Sequence, residues 1–186
     1  QYDLFMKWYR RLPPAPRGFC NSSAIFRDNE YHLEFCRPGF ALWGGNPTPE
    51  TTNPMRSVVT LKAKVLQVRD IDEPQTVGYG ASWQAKRKTK IATIAVGYAD
   101  GWLRSLSNSG KLLIKGHAVP YVGRVSMDAI TVDITDLPGK PLKAGDMVSL
   151  LDDKMTVDDV ASAAGTIGYE ILTSLGHRYR RVYTES

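Results

Sequence analysis

VGYADGWLR, Val96 to Arg104, followed by VGRVSMD, Val122 to Asp128, decides how this chain is read. The first motif closes the run IATIAVGYADG, in which alternating apolar and small residues give way to a Gly-Tyr-Ala-Asp-Gly break. That pattern predicts a strand ending in a tight turn, which projects a side chain from a rigid edge. The side chain so placed is Tyr98. A phenol ordinarily ionises near pH ~10, so it works as an acid or base only when a neighbouring cation or hydrogen bond favours its charged form. Arg104 and Arg124 stand nearby in sequence as candidates for that cation. A single tyrosine at a strand end is as readily a half-buried packing residue; the second glycine-framed polar loop is what argues for chemistry.

The surrounding segments extend the pattern. SVVTLKAKVLQV sets Val59, Leu61, Ala63 and Val65 on one face against Thr60, Lys62 and Lys64 on the other, a half-buried strand. KLLIKG, HAVPYVG, AITVDIT and DMVSLL continue at regular spacing, which predicts a closed or nearly closed β-barrel. Two short helices interrupt it. TVDDVASAAG has Thr156 as N-cap, Asp159 three residues on and Gly165 as a stop, and YEILTSLG ends at Gly176. RYRRVY reads as a final strand. Upstream, GGNPTPETTNPM concentrates turn formers near Asn46 to Met55 and separates residues 1–50 from 51–186. In the front part, PRGFCNSSAIF and YHLEFCRPGFALWG each read as a short apolar strand leading into a polar or glycine-containing turn. Such strand-end loops are where α/β barrels keep their chemistry.

Composition bounds the rest. The 186 residues, 42% apolar and 23% charged, suit a soluble globular protein with one ordinary core and part of another. No apolar run approaches the roughly 20 residues of a membrane span, and the opening QYDLFMKWYRR lacks the order of a signal peptide. Cys20 and Cys36, read as small buried hydrophobes in strands, are too few for a disulfide framework and suit a reducing cytoplasm. The net charge of +5 invites a nucleic-acid reading. Its densest cluster, AKRKTK from Ala85 to Lys90, has only Trp83 nearby as an aromatic and reads as a solvated hairpin connection. His32, His117 and His177 show no metal-ligand spacing, so no zinc site is expected, and there is neither a P-loop nor a Rossmann fingerprint.

Taken together, VGYG at Val77 to Gly80, VGYADGWLR, VGRVSMD and the closing GTIGYEILTSLGHRYRR resemble the C-terminal β-domain of alanine racemase. Residues 1 to about 45 are similar to the last strands of that family's pyridoxal-phosphate barrel, an α/β barrel of TIM type. The fold this implies is mainly β: a remnant of the cofactor barrel in residues 1–50, then a barrel-like β-domain with two short helices in 51–186. The resemblance further implies a cytoplasmic enzyme that uses pyridoxal phosphate to interconvert L- and D-alanine for cell-wall synthesis. It implies a head-to-tail homodimer with an active site shared across subunits, and neither a nucleic-acid nor a membrane partner.

Residue by residue, the resemblance makes Tyr98 one of two acid/base groups. Arg37 matches the arginine facing the pyridine nitrogen of the cofactor; a guanidinium with pKa above ~12 keeps its proton, so the ring nitrogen only accepts a hydrogen bond. Asn21 and Ser22 match the pair that helps hold the phosphate, and Gly39 and Phe40 match positions whose backbone reaches it, as exposed N–H groups at a turn can. Met127 matches the residue whose backbone N–H binds the substrate carboxylate. Ser126 stands where relatives carry cysteine.

The family's Schiff-base lysine lies in a motif resembling VVKANAYGHG, and none of the eleven lysines here has that setting of apolar strand and Gly-rich loop. The histidine that partners the catalytic tyrosine and the carboxylate-binding arginine also belong to the family's front part. The chain alone is therefore expected not to racemise. Two rivals stand beside this reading. One is a racemase of the same fold acting on serine, lysine or a broader set. The other is a non-catalytic β-barrel binding domain, which predicts basic and aromatic residues interleaved, a pattern this sequence has little of.

Overall fold

Leu4, Trp8 and Leu12 recur along one face at the start of the chain, and Tyr2–Tyr9 coils into helix α1. Its other face packs Tyr2 and Phe5 on Phe19, at ring-centroid distances of 5.4 and 5.3 Å. The computed structural model describes residues 1–185, and the chain divides into two units, Gln1–Val58 and Val59–Ser186.

In the first unit, the two stretches expected as strands run extended and side by side. Phe35 N–H donates to Arg17 O at 3.2 Å and Arg37 N–H to Cys20 O at 2.8 Å, with a single parallel bridge between Asn21 and Arg37. The pairing stops there because α2, Ser22–Ile25, and a 3₁₀ turn, Phe40–Trp43, follow at once. Neither stretch thus forms a regular strand, and both cysteines lie outside any. Cys20 is fully buried, which pushes its thiol pKa up, and Cys36 is half-buried. Arg17 and Glu34 form a forked ion pair, with Arg17 Nε 2.8 and 3.0 Å from the two carboxylate oxygens. This pairing holds the Glu34 carboxyl down at about 2.

The second unit is built on β1, Leu61–Ile71, whose burial alternates through Leu61, Ala63 and Val65 as the sequence predicts. The remaining strands are β2 (Thr76–Val77), β3 (Trp83–Gln84), β4 (Thr89–Ile94), β5 (Lys111–Ile114), β6 (His117–Pro120), β7 (Ile130–Asp133) and β8 (Met147–Leu151). One sheet has the order β6-β5-β8-β1-β4-β7, and β2 pairs with β3 apart from it. The long strand β1 serves two partners: Leu61 to Lys64 pair with β8, and Val65 to Ile71 pair with β4. A register shift between Val65 and Gln67 lies just inside the β4 pairing, and such a bulge bends a strand and sharpens its twist. The bend brings the sheet's ends together. Tyr121, just past β6, bridges Val132 of β7, and Val122 N–H donates to Thr131 O at 2.9 Å.

Inside this barrel lie Val65, Ile91, Ile94, Leu112, Ile130 and Leu150, each 1% exposed or less. Trp102 and Tyr121 are buried together, with the indole N–H donating to the phenol oxygen at 3.1 Å. Burial also raises the Tyr121 phenol pKa, so it remains a neutral structural partner.

Two helices complete the unit. α3, Val157–Ala164, starts on Thr156 with the full reciprocal cap, Thr156 Oγ1 accepting from Asp159 N and Asp159 Oδ2 accepting from Thr156 N, and it stops at Gly165. α4, Gly168–Ser174, follows. Two expectations fail here. RYRRVY is not a strand: the sheet's two ends already meet through Tyr121 and Val132, and residues 177–185 run on without regular structure. AKRKTK is not a hairpin connection either, since it links β3 to β4, which lie in different sheets. Its charges are solvated, with Arg87 paired to Asp136 and Lys90 lying 3.8 Å from Asp70. Among the described residues, no helix is long and apolar enough to cross a membrane, and no cluster of His, Cys, Asp and Glu could hold a metal ion.

Candidate active site

β4 ends at Ile94, and the chain turns through Gly97 into a 3₁₀ turn at Tyr98–Asp100. Asp100 ties this turn to itself: its Oδ2 accepts the Gly97 N–H at 2.9 Å, and its own N–H donates to Gly97 O at 3.0 Å. The turn is then bonded to the loop 126–129. Tyr98 N–H donates to Ser126 O at 3.0 Å and Ala99 N–H to Met127 O at 2.9 Å. The approach is so close that a Cβ on Gly97 would sit 2.3 Å from both carbonyl oxygens. Gly101 then leaves at φ +87, with its Cα face against Ser174 O. Only glycine suits that conformation and that space.

The loop 126–129 closes on itself through Ser126. Its Oγ donates to Ala129 O at 2.7 Å and its N–H donates to the same carbonyl at 3.0 Å. The VGYADGWLR and VGRVSMD segments therefore meet, backbone to backbone, and both Tyr98 and Met127 turn their side chains outward, 45% and 53% exposed. Arg104 and Arg124 do not reach the phenol. Among the described residues no hydrogen bond or ion pair joins either to Tyr98, and the Arg124 guanidinium lies beside Gly80. The cation this site does hold is Arg178, whose Nε lies 3.3 Å from Asp100 and whose Nη1 donates to Asp128 at 2.8 Å. Sequence reasoning missed it. An aspartate in each motif and an arginine in the closing GHRYRR were the available signal, and only the fold brings them together. Next to it, the Tyr179 hydroxyl is buried with no hydrogen-bond partner among the described residues; burial, then the nearby Asp100 charge, raises its pKa.

The first unit carries the other candidate residues. Asn21 caps α2, its Oδ1 accepting the Ala24 N–H at 3.0 Å. Buried Ser22 is the hub: its Oγ accepts the N–H of Gly39 at 2.9 Å and of Ala41 at 3.3 Å. With both lone pairs engaged, a serine hydroxyl serves a further partner only by donating its hydrogen, which suits a phosphate oxygen. The Gly39 N–H expected at the phosphate is thus given to Ser22, while the space a Gly39 side chain would fill stays open. Phe40 is buried against Gly45. Arg37 is exposed, and its guanidinium is anchored on the preceding backbone, Nη1 donating to Gly18 O at 2.5 Å and Nη2 to Phe19 O at 3.4 Å. A guanidinium carries five N–H donors, so this anchoring leaves others to face a ring nitrogen. The residues present thus fit a phosphorylated pyridine: a hydroxyl that can only donate, an open glycine and a permanent cation.

Residues 58–183 match the family described as alanine racemase, C-terminal domain. The chain is 49% identical over 183 residues to an alanine racemase of Rhodospirillum rubrum, covering 98% of this chain and 49% of that protein. It is 51% identical over 172 residues to a catabolic alanine racemase of Mesorhizobium japonicum, covering 92% and 45%. The crystal structure of alanine racemase from Bartonella henselae, which has covalently bound pyridoxal phosphate, aligns with a TM-score of 0.92 at 43% identity, over 98% of this chain and 50% of that one. The chain spans about half the length of the curated relatives it matches.

Proposed function

This chain belongs to the alanine racemase family, and on that premise we propose that the full protein interconverts L- and D-alanine with pyridoxal phosphate, using Tyr98 as one of two acid/base groups. The observation that carries this is the backbone-bonded pair of turns. It places a solvent-facing phenol beside the loop of Met127, so a proton-transfer group and a carboxylate-binding amide share one rigid platform.

In this reading Tyr98 moves the proton at the substrate α-carbon on one face, and a base outside this chain serves the other. The Met127 amide holds the substrate carboxylate, so the turn that aims the N–H matters more than the side chain. Ser22 donates its hydroxyl hydrogen to the cofactor phosphate, and its two N–H partners orient that hydroxyl. Gly39 therefore contributes through Ser22 and by leaving space, with Asn21 and Phe40 shaping the same turn. Arg37 gives an N–H to the pyridine nitrogen and keeps its own proton. Bound pyridoxal phosphate would supply an electron sink for the bond broken at the α-carbon, a weaker one when its ring nitrogen stays unprotonated.

Tyr98 and Met127 are exposed on their own unit, which suits groups that work in the barrel of a second subunit; the active protein is on this reading a homodimer with shared sites. Its product would be D-alanine for the cell wall, made in the cytoplasm. None of the lysines of this chain has the setting of a Schiff-base lysine, so the chain alone is inactive. The partner molecule is then a small amino acid rather than nucleic acid or a membrane.

The test is Tyr98→Phe in the full-length protein, assayed in D2O. Racemisation should fall by about 10²-fold or more, while the other base still exchanges the α-hydrogen of one enantiomer with solvent. Undiminished racemisation of alanine in the variant would remove Tyr98 from the reaction. Turnover of serine or lysine above alanine in the wild type would reassign the substrate.

A further inference from the structure

We propose that Arg178 is a positioning residue that holds the Tyr98 turn and the Met127 loop in register by pairing with one carboxylate from each. The inference rests on the functional reading above for what the two turns do. The clamp itself rests on the contacts.

Arg178 sits beyond α4, in the segment that replaces the expected last strand. Its Nε is 3.3 Å from Asp100 Oδ1, and its Nη1 donates to Asp128 Oδ1 at 2.8 Å. Asp100 uses its second oxygen on the Gly97 N–H, immediately before Tyr98. Asp128 directly follows Met127. One rigid guanidinium plane thus spans from the residue before the phenol to the residue after the carboxylate-binding amide. One planar guanidinium, hydrogen-bonded to Asp128 and ion-paired with Asp100, sets the separation of the carboxylates, which the point charge of a lysine cannot do.

The segment is also seated on the turn by its backbone, since Gly176 N–H donates to Asp100 O at 3.0 Å. Asp100 is nearly buried, with its side chain 12% exposed, whereas Asp128 is open at 60%. The clamp therefore has an inner jaw and an outer one. Without the arginine, two carboxylates would face each other uncompensated and push the turns apart.

The experiment uses the full-length protein with Arg178→Gln and Arg178→Lys, read by steady-state kinetics on alanine and by amide hydrogen exchange. Arg178→Gln should lower kcat/KM by about tenfold or more, because small displacements of positioned groups are costly. Lysine should fail to restore it. The amides of Tyr98 and Ala99, which bridge the two turns, should exchange faster while α3 is unchanged. Wild-type kcat and KM in Arg178→Gln, or faster exchange confined to residues 177–181, would overturn the clamp.

If Arg178→Gln does not fold, Asp128→Asn opens the outer jaw alone. It should raise KM several-fold with little change in kcat, and an unchanged KM overturns the proposal. If the wild-type protein does not racemise alanine, the functional reading falls, and the exchange at Tyr98 and Ala99 still decides the clamp by itself.

Discussion

Around Tyr98 the hydrogen bonds within and between the two turns run from backbone to backbone, or to the turn's own Asp100, with Arg178 bracing the pair from outside, and two glycines keep side chains out of the close approach. Around Ser22 two amides converge on one hydroxyl, and a neighbouring asparagine caps four residues of helix. The first region stands at the end of β4, paired on both sides in a sheet whose ends meet; the second stands among short elements with one parallel bridge. A platform made of backbone keeps its shape when the side chains it presents are changed, but accepts no added atom in its glycines. A site made through one hydroxyl depends on that hydroxyl.

That contrast can be broken in order of expected effect. Gly101→Ala should be the most damaging, because it adds a Cβ 1.6 Å from Ser174 O in a φ +87 conformation. A loss of about 3 kcal/mol or more is expected in urea unfolding of the chain, and a loss below that of an ordinary surface change would show the glycine contacts to be incidental.

Ser22→Ala comes next. It strips the acceptor from the N–H groups of Gly39 and Ala41 in a buried place, at a cost of about 2 kcal/mol. The full-length variant should also hold pyridoxal phosphate less tightly in an absorbance titration; unchanged retention would mean that the hydroxyl is structural only.

The ion pair of the first unit gives a smaller, pH-dependent effect. Glu34 is held at about 2 in the folded state against its ordinary 4.5. A depressed carboxylate stabilises fully above its unfolded pKa, and that contribution fades as pH falls from 4.5 through about 2. Melting curves of wild type and Glu34→Gln should therefore differ near neutrality and converge by about pH 2, by a modest amount because both partners are solvent-accessible. A gap that persists at the acid end would assign the difference to packing.

Met127→Leu should do least. If the amide alone holds the substrate, the full-length variant's KM for alanine should stay within about twofold of the wild type, as for an exposed side chain away from a buried contact. A tenfold rise would move the recognition onto the side chain and erase the distinction between the two regions.

Much of the second unit was legible because its signals are local. The alternation of Leu61, Ala63 and Val65 lies in one strand, and Thr156, Asp159 and Gly165 specify α3 within a dozen or so residues. The Gly-Tyr-Ala-Asp-Gly break marked its turn for the same reason. What failed was long-range. RYRRVY has the composition of a strand, but the two ends of the sheet already meet, and no local pattern records that. Helix α1 was not read, since its apolar residues Leu4 and Trp8 face outward and only Tyr2 and Phe5 find partners within the unit. Arg178 was invisible for the same reason: Asp100, Asp128 and Arg178 are far apart in sequence and meet only in the fold.

The split allegiance of β1 also governs how the protein is made. Its second half pairs with β4, which follows it closely in the chain, but Leu61 to Lys64 have no partner until Met147–Leu151 has been synthesised. Through that interval the half-strand is an open edge, the kind of surface that nascent chains share with one another. Lys62 and Lys64 point outward from it. Two like charges on that exposed face would discourage a neighbouring polypeptide from docking there before β8 arrives.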